Sequence, residues 1–189
     1  MGTFFEKGYG HEVKYELAMH FYIIAATLGN EDAILVIADK YKTGKWLEKS
    51  ITNALNWWNK IVDVNITAQI EIAECYIKGN GVTKNVERGK SLLLKAANQK
   101  SVDACIRLAE LEKENITADD SKPYIDWLLK AAELKSPQAM YLLGKYHEEK
   151  ENIKECYRWY SMAVMGEYEP AIDAIKKYKK TIFGGIKIK

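Results

Sequence analysis

The stretch AQIEIAECYIKGNGV, residues 68–82, decides the fold of this 189-residue chain. Its small and apolar residues recur at i, i+4, i+5 and i+8, which places them on one face of an α-helix. Gly79 and Gly81 follow this face, and glycine is favoured where a helix ends in a left-handed residue. The stretch therefore predicts an amphipathic helix that ends in a glycine corner.

The same pattern recurs along the chain. Each copy opens with an alanine that an aliphatic residue follows four positions later, and the alanines are separated by 35, 36, 35 and 32 residues: Ala33, Ala68, Ala104, Ala139 and Ala171. A second pattern lies between them. In each copy it is a pair of residues three positions apart, of which the second is bulky and apolar: Ala18/Phe21, Ala54/Trp57, Gly89/Leu92, Tyr124/Trp127 and Cys156/Trp159. Both spacings are typical of a helix face. Each copy is therefore predicted to be two amphipathic helices with a short connection.

One such helical hairpin cannot bury both of its faces, but stacked hairpins can. The sequence therefore predicts an all-α fold without a β-sheet, an α-solenoid of stacked antiparallel helical hairpins. We expect one domain over residues 1–189. Its copies are predicted at residues 4–29 (partial), 33–64, 68–100, 104–135 and 139–167, with a C-terminal capping helix over 171–181.

Residues 68–82, with GKSLLLKAA at 89–97, resemble a Sel1-like repeat, a relative of the tetratricopeptide repeat. The resemblance covers nearly the whole chain, with a first copy that begins partway through its first helix. It implies a right-handed superhelix, a concave groove formed by first helices, and a role as an adaptor or scaffold. The third full copy departs from the pattern by losing its GxG turn, the fourth has a connection shorter by four residues, and Trp46 stands where the pattern has glycine.

Composition excludes several classes of protein. The chain has 28 Lys and Arg against 26 Asp and Glu, too even a balance for the whole molecule to act as a polyanion binder. It has no long apolar run and no leader-like start. Cys75, Cys105 and Cys156 are odd in number and far apart, which disfavours a disulfide framework or a zinc site. We expect a cytoplasmic protein without a cofactor or a metal.

The candidate partner-binding residues lie between the core positions of the first helices, where they are expected to line the concave groove. The acidic members are Asp32, Asp39, Glu74, Asp103 and Glu110, and the apolar members are Leu35, Ile70, Ile106 and Tyr141. Acid beside an apolar strip favours a basic, partly hydrophobic ligand. An ordinary solvated helix face of mixed charge is the alternative.

Two tryptophans, Trp46 and Trp58, are surplus to the repeated positions held by Trp57, Trp127 and Trp159. An exposed tryptophan is a common interface anchor, so we include both among the candidate partner-binding residues. Packing against a neighbouring corner of the solenoid is the alternative.

These observations favour a non-catalytic protein–protein interaction module that binds a polypeptide in its groove. It would act as an adaptor or scaffold, or as an inhibitor such as a bacterial immunity protein whose acidic residues face a basic toxin. We expect no enzymatic activity, and neither a nucleic acid nor a membrane as partner.

Two other functions stay open. Cys156 and His147 belong to one predicted hairpin, so a thiol-dependent hydrolase of the β-lactamase-like Sel1 type is one alternative. The regularly spaced cysteine pairs of such relatives are absent from this sequence. The other alternative is binding of nucleic acid or an anionic surface through the lysine-rich segment 176–189, which otherwise is a solvated cap with a frayed tail.

Overall fold

A computed structural model describes residues 2–7, 14–114, 121–180 and 185–188. These residues form eleven helices and two short strands. In chain order they are α1 (Gly2–Lys7), α2 (Tyr15–Thr27), α3 (Glu31–Thr43), α4 (Ile51–Trp58), α5 (Ile66–Lys78), α6 (Val86–Asn98), α7 (Val102–Glu114), α8 (Lys122–Glu133), α9 (Pro137–Glu149), α10 (Ile153–Met165), α11 (Glu169–Ile175), β1 (Tyr178–Lys180) and β2 (Ile186–Ile188).

Consecutive helices pack as antiparallel hairpins, and each hairpin packs on the next within its unit. The pairs α1/α2, α3/α4, α7/α8 and α9/α10 are in contact, as are α2/α3, α4/α5, α8/α9 and α10/α11. The predicted all-α fold of stacked helical hairpins is confirmed. Within the described ranges, no helix combines the length and the apolar composition that a bilayer crossing requires.

The chain divides into two compact units, Met1–Ala96 and Ala97–Lys189. The sequence analysis expects one continuous domain, because the repeat alone gives no sign of a division. We call these parts the N-terminal unit and the C-terminal unit and describe each by itself.

A side-chain cap begins the first helix of each full copy: Asn30, Asn65, Ser101 and Ser136. Each side-chain oxygen accepts a hydrogen bond from the backbone N–H of the repeated alanine three residues on, as Asn30 Oδ1 does from Ala33 at 2.8 Å. Such caps satisfy donors that the first turn leaves unpaired. The sequence analysis missed this signal, although it recurs with the same period as the alanines.

Glycine ends α3 and α5 as predicted. Gly44 and Gly79 both adopt a left-handed conformation with φ of 74°, which costs glycine little because it has no Cβ. A seven-residue corner, residues 79–85, then leads from α5 to α6, and the N–H of Asn85 donates to the carbonyl oxygen of Tyr76 at 2.8 Å. The corner thus fixes where the second helix starts.

Small residues form the contacts between first and second helices. All five repeated alanines are at most 3% exposed, and Ala38, Ala73 and Ala109 are completely buried. A Cβ added at Gly89 of α6 would lie 2.6 Å from Cγ1 of Ile77 in α5. Helix backbones therefore approach too closely here for any larger residue.

In each second helix, the large residue that is buried lies one position later than the sequence pattern predicts. The expected residues, among them Trp57 and Trp127, are only half-buried. The residues directly after the expected ones are at most 7% exposed: Tyr22, Trp58, Leu93, Leu128 and Tyr160. Spacings of three and four both stay on one helix face, so the pattern indicated the face but not which residue lies at its centre.

The C-terminal end differs from the expectation of a long capping helix, a frayed tail and a fold without a β-sheet. α11 ends at Ile175, and β1 then pairs antiparallel with β2. Tyr178 of β1 is 7% exposed, and its hydroxyl donates to Glu148 Oε1 at 2.9 Å. The expectation is wrong for these residues because the turned-back chain buries an aromatic ring and gains a hydrogen bond to a carboxylate.

The close helix contacts give a stability prediction at Gly144. A Cβ there would lie 2.5 Å from Cδ1 of Tyr160, whose side chain is completely buried. Helix propensity alone predicts that Gly144→Ala stabilises by about 1 kcal/mol, whereas overpacking predicts a loss of about 1 to 3 kcal/mol. We expect the loss, measured by urea denaturation, with Lys145→Ala on the exposed face as control. A more stable Gly144→Ala variant would contradict the close contact.

Candidate functional site

The exposed side of α3 and α5 carries five of the predicted partner-binding residues in the N-terminal unit. Asp32 and Asp39 are exposed, and Leu35, Ile70 and Glu74 are half-buried. Each lies between the buried core positions of its helix, as the repeat pattern predicts. We call this surface the first-helix face.

A recess of about 320 Å³ opens on the first-helix face. Leu35, Asp39 and Lys42 of α3 line it together with Glu71 of α5, and Trp58 of α4 contributes to its lining. Its lining mixes apolar side chains with charged ones, so that it offers a ligand both apolar contact and charge.

The charges of the recess nearly balance. Lys42 Nζ lies 2.7 Å from Glu71 Oε1, and Lys40 Nζ lies 3.1 Å from Glu6 Oε1. Asp39 has no ion-pair partner among the residues that the structure describes. Three carboxylates against two ammonium groups leave the recess with one negative charge, which Asp39 carries at the rim.

Glu6 joins three elements of the N-terminal unit. Its Oε2 accepts a hydrogen bond from the Tyr22 hydroxyl at 2.7 Å, and its Oε1 contacts Lys40. Burial acts to raise the pKa of Glu6, but these two hydrogen bonds, together with the positive charges of Lys40 and Lys7, outweigh it and hold the pKa below its usual value. Gly2 lies one turn earlier in α1, and its backbone approaches the ring of Tyr22 closely.

Trp46 occupies its corner with a left-handed backbone, φ 73°, a conformation that costs a residue with a side chain about 1 to 2 kcal/mol. Its ring stacks on Tyr15 at a centroid distance of 4.9 Å, and Lys40 Nζ lies 4.1 Å from its centroid. These contacts favour the packing alternative for Trp46 over a role as a free anchor.

Two of the predicted partner-binding residues are buried. Trp58 is 2% exposed and belongs to the core of the N-terminal unit, and Ile106 of α7 is 5% exposed. The prediction that they contact a partner is corrected here, because burying such apolar side chains is worth about 1.5 to 3 kcal/mol each. Trp58 faces the core because it lies one helical turn after buried Ala54.

The C-terminal unit carries the other predicted residues, but they do not form a continuous row of exposed acids. Asp103 is exposed, while Glu110 is engaged by Arg107 at 2.7 Å. Tyr141 is half-buried and contacts the ring of Tyr168 at a centroid distance of 5.4 Å. Among these residues, Asp103 alone is an exposed acid that forms no ion pair with another described residue.

Glu148 of α9 is the centre of a hydrogen-bond cluster that the sequence analysis missed. Tyr160 donates to its Oε2 at 2.6 Å, Tyr178 donates to its Oε1 at 2.9 Å, and Lys177 Nζ lies 3.1 Å from the same oxygen. Burial acts to raise the pKa of Glu148, but the three donors outweigh it and lower the pKa. The sequence did contain a signal for this cluster. Glu148 lies one helical turn after the small core residue Gly144, and Glu6 follows Gly2 at the same spacing.

The thiol of Cys156, which the hydrolase alternative requires as a nucleophile, is not activated. Cys156 is completely buried. Burial raises the pKa of its thiol and outweighs the hydrogen bond of Tyr178, which lowers the pKa; the nearby charge of Glu148 raises it further, and that of Lys177 lowers it. A nucleophilic cysteine needs the reverse, an accessible thiol with a lowered pKa. His147 contacts the ring of Tyr146.

Neither a metal site nor a strongly basic tail emerges from the described residues. Among them, no group of three His, Cys, Asp or Glu side chains is arranged to hold a metal ion. Lys176 pairs with Asp173 at 2.7 Å, and Lys177 pairs with Glu148. These ion pairs reduce the charge that the C-terminal segment can offer to a polyanion.

Comparison with known families identifies the repeat. The family described as the Sel1 repeat matches most of the chain, over residues 1–30, 33–63, 66–101, 125–136 and 137–168. The matches leave out most of the third copy, where the GxG turn is lost. No curated protein matches the sequence.

Solved structures share the fold. A Sel1 repeat protein from Oxalobacter formigenes superposes with a TM-score of 0.78 at 18% identity, over 92% of this chain and 73% of that protein. A protective antigen of uropathogenic Escherichia coli strains with an SLR fold gives 0.73 at 24% identity, over 93% of this chain but 39% of its own. An immunity protein from Pseudomonas aeruginosa gives 0.55 at 22% identity, over 82% of this chain and 59% of its own.

The Glu148 cluster gives a pH-dependent stability prediction. Its lowered pKa means that the stabilisation is complete above the ordinary glutamate pKa of about 4.3 and is lost as the pH falls through the folded-state value. We expect Glu148→Gln to cost about 1.5 to 3 kcal/mol at pH 7 and much less at acid pH. Urea denaturation at several pH values measures this, with Glu149→Gln as control. An equal cost at every pH would contradict the cluster.

Buried thiols give a reactivity prediction. We expect Cys156 in the native protein to react with iodoacetamide at neutral pH more slowly than free glutathione, because its thiol is buried and its pKa is raised. Mass spectrometry of tryptic peptides measures the rate, and protein in denaturant, where Cys156 reacts freely, is the control. A native rate above that of glutathione would revive the hydrolase alternative.

Proposed function

Because the chain belongs to the Sel1 repeat family, we propose that it binds a polypeptide partner through the first-helix face of its N-terminal unit. The observation that carries this proposal is the recess beside Leu35, where the exposed carboxylate of Asp39 lies outside the ion pairs of its neighbours. A basic side chain of the partner would pair with Asp39, and its aliphatic stem would cover Leu35.

The two parts of the recess contribute differently to binding. An exposed carboxylate mainly speeds association and selects against acidic partners. The half-buried side chain of Leu35 in the recess, and that of Ile70 elsewhere on the first-helix face, supply apolar area, which gives affinity when water is excluded from it. A partner that satisfies both presents lysine or arginine flanked by apolar residues.

The N-terminal unit is the better candidate because the acidic pattern weakens along the chain. Lys145 stands in α9 where Asp39 stands in α3, and Glu110 in α7 is paired with Arg107. The partner contact that we propose is therefore restricted to α3 and α5.

Inhibition of a toxin, as by a bacterial immunity protein, is the finer form of this proposal, and an adaptor or scaffold role is the other. The immunity protein from Pseudomonas aeruginosa supports the first only through its shared fold. A negatively charged recess would suit a basic toxin surface. A cytoplasmic location, which free buried cysteines favour, belongs to the same proposal.

Charge reversal on the first-helix face tests the proposal. We expect Asp39→Lys to weaken binding of the partner at least tenfold, mostly through slower association, and Leu35→Asp to weaken it about 30-fold. Biolayer interferometry with the purified products of neighbouring genes measures both. Asp126→Lys, an exposed site on α8, is the matched control. Unchanged affinity in both first-helix variants would place the contact elsewhere.

A further inference from the structure

A small pocket lies within the C-terminal unit, where the end of α7 and the start of α8 approach the second half of α9. Three lysines line it: Lys113, Lys145 and Lys150. We call it the lysine pocket. Its volume is about 140 Å³, whereas pockets for whole small molecules usually measure about 300 to 1,000 Å³. The lysine pocket therefore has room for one chemical group of a ligand.

The lysine pocket lies where the third full copy departs from the repeat. One second-helix position holds Tyr124 in this copy but a small residue in the others: Ala18, Ala54, Gly89 and Cys156. In the copy before it, a Cβ at Gly89 would meet Ile77. The residues at these two positions are here Tyr124 and Lys113, and Lys113 Nζ lies 5.8 Å from the centroid of the Tyr124 ring. A hydroxyl and an ammonium group thus replace a close apolar contact.

Tyr124 lines the pocket and is only 5% exposed. Its hydroxyl has no hydrogen-bond partner among the residues that the structure describes, although a buried tyrosine hydroxyl usually has one. Burial raises the pKa of Tyr124, and the negative charges of Glu149 and Glu110 raise it further. At neutral pH the hydroxyl therefore keeps its proton and can donate it to an acceptor in the pocket.

Ser121 precedes α8 but does not cap it with its side chain. Ser50, Ser101 and Ser136 also precede helices, and each accepts a hydrogen bond from the backbone N–H three residues on. Ser121 Oγ instead lies 2.8 Å from the Tyr146 hydroxyl, and both residues line the pocket. The bond between two hydroxyls uses one of their two hydrogens. The other hydrogen has no acceptor among the described residues and is a second donor for a ligand.

The charge of the lysine pocket is positive. Lys113, Lys145 and Lys150 form no ion pair with another described residue. Glu149 supplies the only carboxylate among the described residues of the lining. Three ammonium groups against one carboxylate leave two positive charges, so the pocket suits an anion.

Charge and donors distinguish between two kinds of anion. A phosphate monoester carries about 1.5 to 2 negative charges at neutral pH and three strong acceptor oxygens. These match the two positive charges and can accept from lysine ammonium groups and from both hydroxyl donors. A carboxylate carries one charge on two oxygens, which would leave one positive charge and part of the donors unused.

We propose that the lysine pocket binds a phosphate monoester group. The ammonium groups pair with its oxygens, while Tyr124 and the Ser121/Tyr146 pair donate hydrogen bonds to it. The phosphate is carried by one side chain of a polypeptide or is a free ion, because both present the same oxygens. No residue of the Asp39 recess takes part, so this proposal and the proposed function stand or fail separately.

Calorimetric titration of the full chain at low salt tests the proposal with three ligands. They are N-acetyl-phosphoserine amide, inorganic phosphate and N-acetyl-glutamate amide. We expect the two phosphates to bind saturably and the glutamate amide to bind at least tenfold more weakly. Tighter binding of the phosphoserine amide than of inorganic phosphate supports a phosphorylated polypeptide as the source, and the reverse order supports the free ion. Equal affinity for the glutamate amide, or no saturation with either phosphate, would overturn the proposal.

Single substitutions test the assigned groups. We expect Lys145→Gln to weaken phosphate binding about threefold and Tyr124→Phe to weaken it about tenfold. Glu149→Gln should strengthen it about threefold, because it removes the negative charge of the lining. Lys154→Gln, at an exposed site on α10, removes the same charge as Lys145→Gln outside the pocket and should bind as the wild type does.

The variants also separate a specific site from general attraction of anions and from a loss of folding. Circular dichroism and urea denaturation establish that each variant is folded. Glu149→Gln changes an exposed residue, so its effect can be measured even if Tyr124→Phe fails to fold. An equal loss in Lys154→Gln and Lys145→Gln, or weaker binding by Glu149→Gln, contradicts the site.

Discussion

Close approach of helix backbones is the constraint on which the rest of this structure depends. A Cβ at Gly89 would lie 2.9 Å from the backbone oxygen of Ala73, and one at Gly144 would overlap the ring of Tyr160. At such separations each small residue fixes how far one helix can slide or rotate against its neighbour. Because the rotation of each first helix is fixed, its core positions are fixed too, and the residues between them must face solvent. The exposed carboxylate of Asp39 and the half-buried side chain of Leu35 follow from that rotation.

Two polar clusters supplement this apolar packing at corresponding positions of the hairpins α1/α2 and α9/α10. Glu6 and Glu148 each accept a hydrogen bond from a tyrosine of the second helix and contact a lysine that comes later in the chain. In the copies between them the same position holds lysine or isoleucine. Hydrogen bonds to a carboxylate depend on direction, whereas apolar contacts do not. These clusters therefore fix the angle between the two helices of a hairpin as well as the distance between them. In the C-terminal unit the cluster also holds β1 against α10, through Tyr178.

The recess at Asp39 arises from an irregularity in the charges of the repeat. The recess at Asp39 is polar at its rim and arises where a first-helix face carries one carboxylate more than its ion pairs use.

The sequence by itself determined the helices, their pairing, the glycine ends at Gly44 and Gly79 and the buried alanines, because helical spacing and the need for small residues at close contacts are local and repeat in every copy. It also placed Asp39 and Leu35 on an exposed face. Only the tertiary structure decided that Trp58 is core and Trp57 half-buried, since two adjacent residues on one helix face differ only in what packs over them. The same holds for the β-hairpin at Tyr178 and the Glu148 cluster: each depends on groups distant in sequence that meet in space, and no periodic pattern records such a meeting.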